Sequence, residues 1–242
     1  GLYGPADYLA KGAAGLSGYL QGRAPWKVLL EIQNQAKKDV PRVVLVLESD
    51  LKGTSVMLPA PLGKTASEPR KLEIRWVPDE TSNNPVRVSY GDLLNARLLL
   101  DRDQKQIRRA GVMFGGKEAR LPLVDSIKFA GRLESFDLGQ WLPVLTQTAG
   151  AGGGLRPAID METDRFIYAG FRVDDVRVYS KYNDPWHFQV YGGNSQGWLR
   201  WLPAERVLPA RLSMKFENLN IHRVTDGMAN DRVKGVKRSP SD

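Results

Sequence analysis

The sequence predicts a mostly β protein built on an extended antiparallel sheet, and three observations lead there. Short segments alternate polar and apolar residues with a period of two, most cleanly in Leu212-Ser213-Met214-Lys215-Phe216-Glu217. Clusters of Gly, Pro, Asp and Asn separate these segments as turns do. Helical periodicity is confined to one or two short stretches, so there is almost no helix layer to cover a sheet's apolar face. Such a sheet either folds over into a sandwich or curls into a trough whose apolar face is covered by a ligand.

Taken in order, Gly1–Gly22 is rich in Gly, Ala, Leu and Tyr, and Pro5–Ala14 can form a short helix limited by Gly12, Gly15 and Gly18. Trp26–Ile32 reads as a strand and Asn34–Asp39 as a polar turn. Val43–Leu47 is apolar and β-branched-rich, too short for a stable helix and suited to a buried strand. Asp50-Leu51-Lys52-Gly53 has the Asp and Gly of a type I turn, and Val56-Met57-Leu58 restarts an extended run. Pro59 and Pro61 push their preceding residues out of the helical region. Lys71–Trp76 then alternates as a half-exposed strand.

Further strands are expected at Val86–Tyr90, Ala96–Leu100, Ile107–Phe114 and Ile127–Leu133, with loops at 79–85 and 101–106. Asp137 is placed to cap a short helix through Trp141-Leu142, with Pro143 keeping it early or kinked. The glycine-rich stretch after Thr146 is the best internal boundary. The division expected is a β segment over 1–148 with a helix near 137–145, a connector at 149–157, a second β segment over 158–221 and a polar tail from 222 that frays. In the second segment the strands are Ile159–Thr163, Val176–Ser180, Phe188–Tyr191, Trp198–Leu202 and Leu212–Glu217.

Composition narrows the function classes. A 42% hydrophobic chain of 242 residues can bury a sizeable core. The absence of cysteine excludes disulfides and thiolate metal sites and leaves the compartment open. No stretch approaches the length of a membrane helix, and a chain that starts at Gly1 leaves membrane attachment elsewhere untested. The net charge of +8 comes from Lys and Arg interleaved with Asp and Glu, without an aromatic-plus-basic motif, so no nucleic acid is expected as a partner. Anionic lipid headgroups account for a positive rim equally well.

Candidate chemistry has a plainer reading throughout. Gly193-Asn194-Ser195-Gln196-Gly197 matches a nucleophile elbow, with Glu205 or Glu217 and then His222 following in order. That elbow needs a helix directly after the serine, whereas Trp198–Leu202 reads as a strand, so a hairpin turn explains the same letters. His187 and His222 lack a third ligand at zinc spacing, and the Gly150–Gly154 run lacks the ending of a phosphate loop. No cofactor, metal or catalytic residue is expected.

The run SDLKGTSVMLPAPLGK, ending at Lys64, resembles a characteristic stretch of YhdP-type proteins. GLSGYLQGRAPWKVLLEI at Gly15–Ile32, RLESFDLGQWLPVL at Arg132–Leu145 and the strand order from Asp160 to Ile221 are similar too. These are large AsmA-like envelope proteins of Gram-negative bacteria, placed among the repeating-β-groove, bridge-like lipid-transfer proteins. The resemblance implies that the chain is a segment of a longer protein and that the sheet curls into an apolar groove carrying phospholipid acyl chains. It implies a periplasmic, non-enzymatic conduit between the inner and outer membranes, supporting outer-membrane barrier integrity. Both membranes would be reached through parts of the parent not present here, with an anchor in the inner membrane. The alternating strands nominate the lining as Leu45, Leu47, Leu72, Ile74, Trp76, Val86, Val88, Ile159, Met161, Val176, Val178, Leu212, Met214 and Phe216. The Pro59–Lys64 excursion is expected to shape the groove edge. The alternative is a closed β-sandwich that binds carbohydrate or peptidoglycan, or serves as a structural envelope module.

Overall fold

A computed structural model describes residues 17–33, 42–77, 85–101, 107–151, 156–181, 183–202 and 211–224. The expected helix at Pro5–Ala14, the turns at 34–39 and 79–84 and most of that at 101–106 lie outside them. One large sheet dominates. In chain order its strands are β2 (Lys27–Gln33), β3 (Arg42–Ser49), β5 (Leu72–Trp76), β6 (Val86–Tyr90), β7 (Leu94–Leu100), β8 (Ile107–Phe114) and β9 (Ile127–Asp137), followed by β10 (Pro157–Tyr168), β11 (Phe171–Lys181), β12 (Asp184–Gly192), β13 (Ser195–Leu202) and β14 (Arg211–Asn218). Apart from the excursion between β3 and β5, each strand pairs with the next in sequence, and among the described strands β2 and β14 form the two edges. β1 (Leu20–Gly22) and β4 (Thr54–Val56) form a separate two-stranded ribbon. The described strands therefore make one open sheet and a ribbon, not the two facing sheets of a sandwich.

The pairing is antiparallel along most of the sheet, as the hairpin-like turns require, but β9 runs parallel to both β8 and β10. Parallel neighbours need a crossover, which the sequence reading did not anticipate. The first crossover, residues 115–126, lies over the polar side of the sheet. There Asn95 Nδ2 donates to the Lys117 carbonyl at 3.1 Å, Arg97 pairs with Glu118, and Arg109 meets Asp125 at 2.9 Å. The second crossover is helix α1 (Leu138–Ala151). Asp137 caps it as expected, its Oδ1 accepting from the Gln140 backbone N–H at 3.3 Å. The helix continues past Pro143 to Ala151, into the stretch expected as a connector, and β9 pairs directly with β10. The proposed boundary therefore does not divide the sheet.

Two smaller expectations need correction. The turn after β3 closes with Thr54 N–H donating to the Leu51 carbonyl at 3.1 Å, one residue later than expected. The Asp50 carboxylate instead takes the Lys52 N–H at 3.0 Å, a side-chain turn that displaces the backbone one. The tail does not leave the fold at residue 222. β15 (His222–Arg223) pairs with the start of β11, and Val224 N–H donates to the Gly170 carbonyl at 2.9 Å.

Register turns the period of two into two unlike faces. One row of directly opposed residues runs Leu72, Tyr90, Leu94, Phe114, Gly131, Met161, Val178, Val190, Gly197, Phe216, from β5 to β14 without a gap. A parallel row runs Val28, Leu47, Ile74, Val88, Ala96, Val112, Phe129, Ile159. Neither row contains a charge. Over most of the sheet the intervening residues form the polar face, where Arg75–Glu31, Arg132–Glu162, Arg165–Glu134 and Arg177–Asp160 bridge strands, but on β3 that side carries the buried Val44 and Val46. Toward one end, burial on β9, β10 and β11 shifts phase, with three positions instead of two between Leu133 and Phe136, Thr163 and Phe166, and Val173 and Val176. The Thr163 hydroxyl bonded to Arg165 and the φ of 51° at Asp175 mark this irregularity, which bends the sheet locally.

Gly131 lets the strands approach within the first row. A Cβ there would stand 2.3 Å from the Phe114 carbonyl oxygen, at a φ of +112°. Gly131→Ala is therefore expected to lose at least about 2 kcal/mol. Gly170→Ala, at φ +78° but with nothing within 4 Å, should lose only about 1 kcal/mol. Chemical denaturation of both variants checks the ranking. Equal losses would show that strand approach at Gly131 is not the constraint.

Candidate functional site: an apolar face with a partial roof

The candidate site is the apolar face itself. All the nominated lining residues lie on it. Leu45 stands opposite Trp76, Leu47 opposite Ile74, Ile74 opposite Val88, and Met161 opposite Val178. Val86 faces Leu98 on the same side, Val176 is two residues from Val178, and Leu212 and Met214 face Trp201 and Leu199. Their exposure differs sharply. Ile74, Val86, Ile159, Met161, Val176 and Val178 are buried, and Val178 is only 3% exposed. At the flanks, Val28, Leu30 and Ile32 are 62–65% exposed and Met214 50%. The middle of the face is thus core, while its two edges are open. The sequence reading did not include Val28, Leu30 and Ile32 in the lining, although their alternation with Leu29 and Glu31 carries the same signal.

Two elements cover the middle. α1 places Leu138, Trp141, Leu142 and Val144 in one cluster with Met161, Val176 and Val190. Trp141 stacks on Phe136, which stacks on Phe166, each pair with centroids 6.1 Å apart. The second element is the excursion between β3 and β5, which places Leu51, Val56 and Leu62 in the same cluster. It is fastened to the sheet by Tyr90, whose hydroxyl donates to the Leu62 carbonyl at 2.9 Å, and to α1 by Trp141 Nε1, which donates to the Ala60 carbonyl at 3.2 Å. The excursion, expected as a groove edge, is part of a roof.

Inside the excursion Lys64 is buried without a carboxylate partner among the described residues. Its ammonium donates to the carbonyls of Leu51 and Thr65, each at 2.9 Å, and to that of Thr54. All three ammonium protons are used, and three carbonyls gain a charged donor, those of Leu51 and Thr65 in addition to the backbone N–H groups of Thr54 and Glu68. Beside it, Arg70 Nη1 lies 3.1–3.3 Å from the carbonyls of Pro61, Leu62 and Gly63, with its guanidinium 5.2 Å from the Tyr90 ring centre. Burial raises the Tyr90 phenol above its ordinary value, with Arg70 pulling the other way. Neither cation is legible in the sequence, because their acceptors are backbone carbonyls with no signature in the residue pattern.

The serine of the elbow-like pentapeptide opens β13, and no helix follows it. Gly193 and Asn194 both have positive φ, the geometry of a two-residue type I′ hairpin between β12 and β13. The Ser195 hydroxyl accepts the Asn220 backbone N–H at 2.9 Å. His187 Nδ1 lies 3.3 Å from Asp184, and His222 pairs loosely with Asp174 at 3.9 Å. No helix among the described residues is long and apolar enough to cross a membrane.

An open sheet with one uncharged face, roofed in its middle and bare at its flanks, defines a β-groove protein. The chain belongs to the YhdP protein family, whose model matches residues 6–241, and which is an AsmA-like family of envelope proteins. No curated protein and no solved structure matches the chain.

Two outcomes test the roof. Lys64→Met should lose about 2–4 kcal/mol, because three buried carbonyls lose a charged donor, and limited proteolysis should then cut within residues 51–64. Unchanged stability would rule out a fastening role for the ammonium. Tyr90 is protonated more firmly in the folded chain than in the unfolded one, so its contribution holds below its ordinary value of 10.0 and is lost as pH rises through the folded value. Tyr90→Phe should therefore be less stable at neutral pH yet lose stability less steeply above that value. An unchanged alkaline slope would count against this linkage.

Proposed function

We propose that this chain is a segment of a non-enzymatic periplasmic lipid conduit, moving phospholipid between the inner and outer membranes and so supporting the outer-membrane barrier. In this reading the parent protein is anchored in the inner membrane, and both membranes are reached through other parts of it. One observation carries the proposal: an uncharged face continuous from β2 to β14 that stays exposed at both edges. Each methylene kept from water is worth about 0.8 kcal/mol, so an acyl chain crossing water unaided would cost on the order of 10 kcal/mol. Apolar surface along the route lowers that barrier and needs no reacting group. The family is not known as enzymatic, which agrees with this reading.

The open flanks are where lipid contact is testable. A photo-crosslinking residue at Met214 or Leu30 should capture lipid, while the same residue at Lys215 or Glu31, one step along each strand, should not. Val178 is unsuitable because it lies in the core. Met214→Arg places an unpaired charge against hydrocarbon and should lower capture several-fold. The chain should remain folded, since Met214 is half exposed. Equal capture on both faces, or none on either, would overturn the conduit.

A further inference from the structure

At the β12–β14 flank the apolar face ends in a pair of tryptophans. The antiparallel register that sets His187 opposite Arg200 places Trp186 and Trp201 at the same strand ends, and Trp201 stands opposite Leu212 on the edge strand. Both tryptophans are half-buried on the apolar face and pack against the core cluster. The Trp201 indole Nε1 is buried and has no hydrogen-bond partner among the described residues. An indole N–H shut away from water without an acceptor is costly. Trp141, at the opposite strand ends, has its N–H satisfied by the Ala60 carbonyl beneath the roof. From Trp201 inward the lane runs past Leu199 and Met214 to Gly197 and Phe216, about 14 Å of uncharged strand. Met214 is half exposed there and leaves the lane accessible from the edge.

A buried donor at the outer end of an apolar lane fits a ligand with an acceptor at the head of a hydrocarbon chain. Indoles take this position at membrane interfaces, with the ring in hydrocarbon and the N–H at the polar boundary. Building on the lipid reading above, we infer that Trp201 is a lipid-anchoring residue. Its N–H donates to the ester carbonyl of a glycerophospholipid, and one acyl chain of that lipid extends inward along Met214 to Phe216. The lipid thereby has a fixed direction in the lane, with its headgroup at the Trp186–Trp201 end.

The test uses two photoreactive dioleoyl phosphatidylglycerol analogues, one with a diazirine beside the headgroup and one with it at the acyl terminus. Crosslinked peptides are mapped on the wild-type chain, on Trp201→Phe, which keeps an aromatic ring and removes the donor, and on Trp198→Phe as a polar-face control. The headgroup probe should label residues 184–187 and 200–202, and the acyl probe 195–199 and 214–218. Trp201→Phe should lower headgroup-probe labelling about fivefold, as expected for one lost hydrogen bond, and Trp198→Phe should leave it unchanged. Headgroup labelling at 192–195 and 218–224, or labelling that ignores Trp201→Phe, would overturn the anchor while leaving the conduit standing. An equal dependence on Trp201 for a photoreactive free fatty acid would overturn the ester assignment. Failure of the acyl probe to label the apolar face at all would overturn the conduit itself, and the anchor with it.

Discussion

The fold rests on a sheet that gathers most of its apolar side chains on one face and its charges on the other. Strand pairing satisfies the backbone but does nothing for the uncovered face, whose exposure to water costs about 25 cal/mol for each Å². A sandwich would cover that face with a second sheet. Here α1 and the β3–β5 excursion cover only the middle. The edges stay bare, and that incomplete covering is what the proposed function rests on.

The roof depends on cations in an unusual role. An excursion that must turn back on itself leaves carbonyls pointing inward, and apolar packing alone cannot satisfy them. Lys64 and Arg70 each gather three carbonyls of the excursion, and Tyr90 and Trp141 tie the result to sheet and helix. By contrast, the ion pairs on the polar face join exposed partners on neighbouring strands, as Arg132 does with Glu162. Pairs of that kind contribute roughly 0–1 kcal/mol each and are screened by salt. Their larger effect is on register: slipping one strand by a residue would turn its charges onto the apolar face.

A conduit for hydrocarbon needs surface that attracts without gripping. The apolar rows offer Val, Leu, Ile, Met and Phe with no charged group to fix a ligand in place. The buried unsatisfied donor on this face, among the described residues, is at Trp201, near the β14 edge. Under the proposed lipid reading, sliding surface and orienting contact are separated along the strand.

The local strand pattern was determined by the sequence alone, because side-chain alternation is a property of neighbouring residues. Val86–Tyr90 and Ile107–Phe114 are strands with the bounds their residues suggest, and all the lining residues nominated from alternation share one face. The Asp137 cap was legible for the same reason, since it acts within three residues. Only the tertiary structure decided that β9 runs parallel to its neighbours, that the helix continues through the expected connector, and that the proline excursion folds inward. It also decided which lining residues are core, as Val178 is, and which are open, as Met214 is. These outcomes depend on contacts between residues far apart in the chain: Trp141 with Ala60, Tyr90 with Leu62, Lys64 with Leu51. The acceptor in each is a backbone carbonyl that every residue carries, so no pattern of residue types announces it.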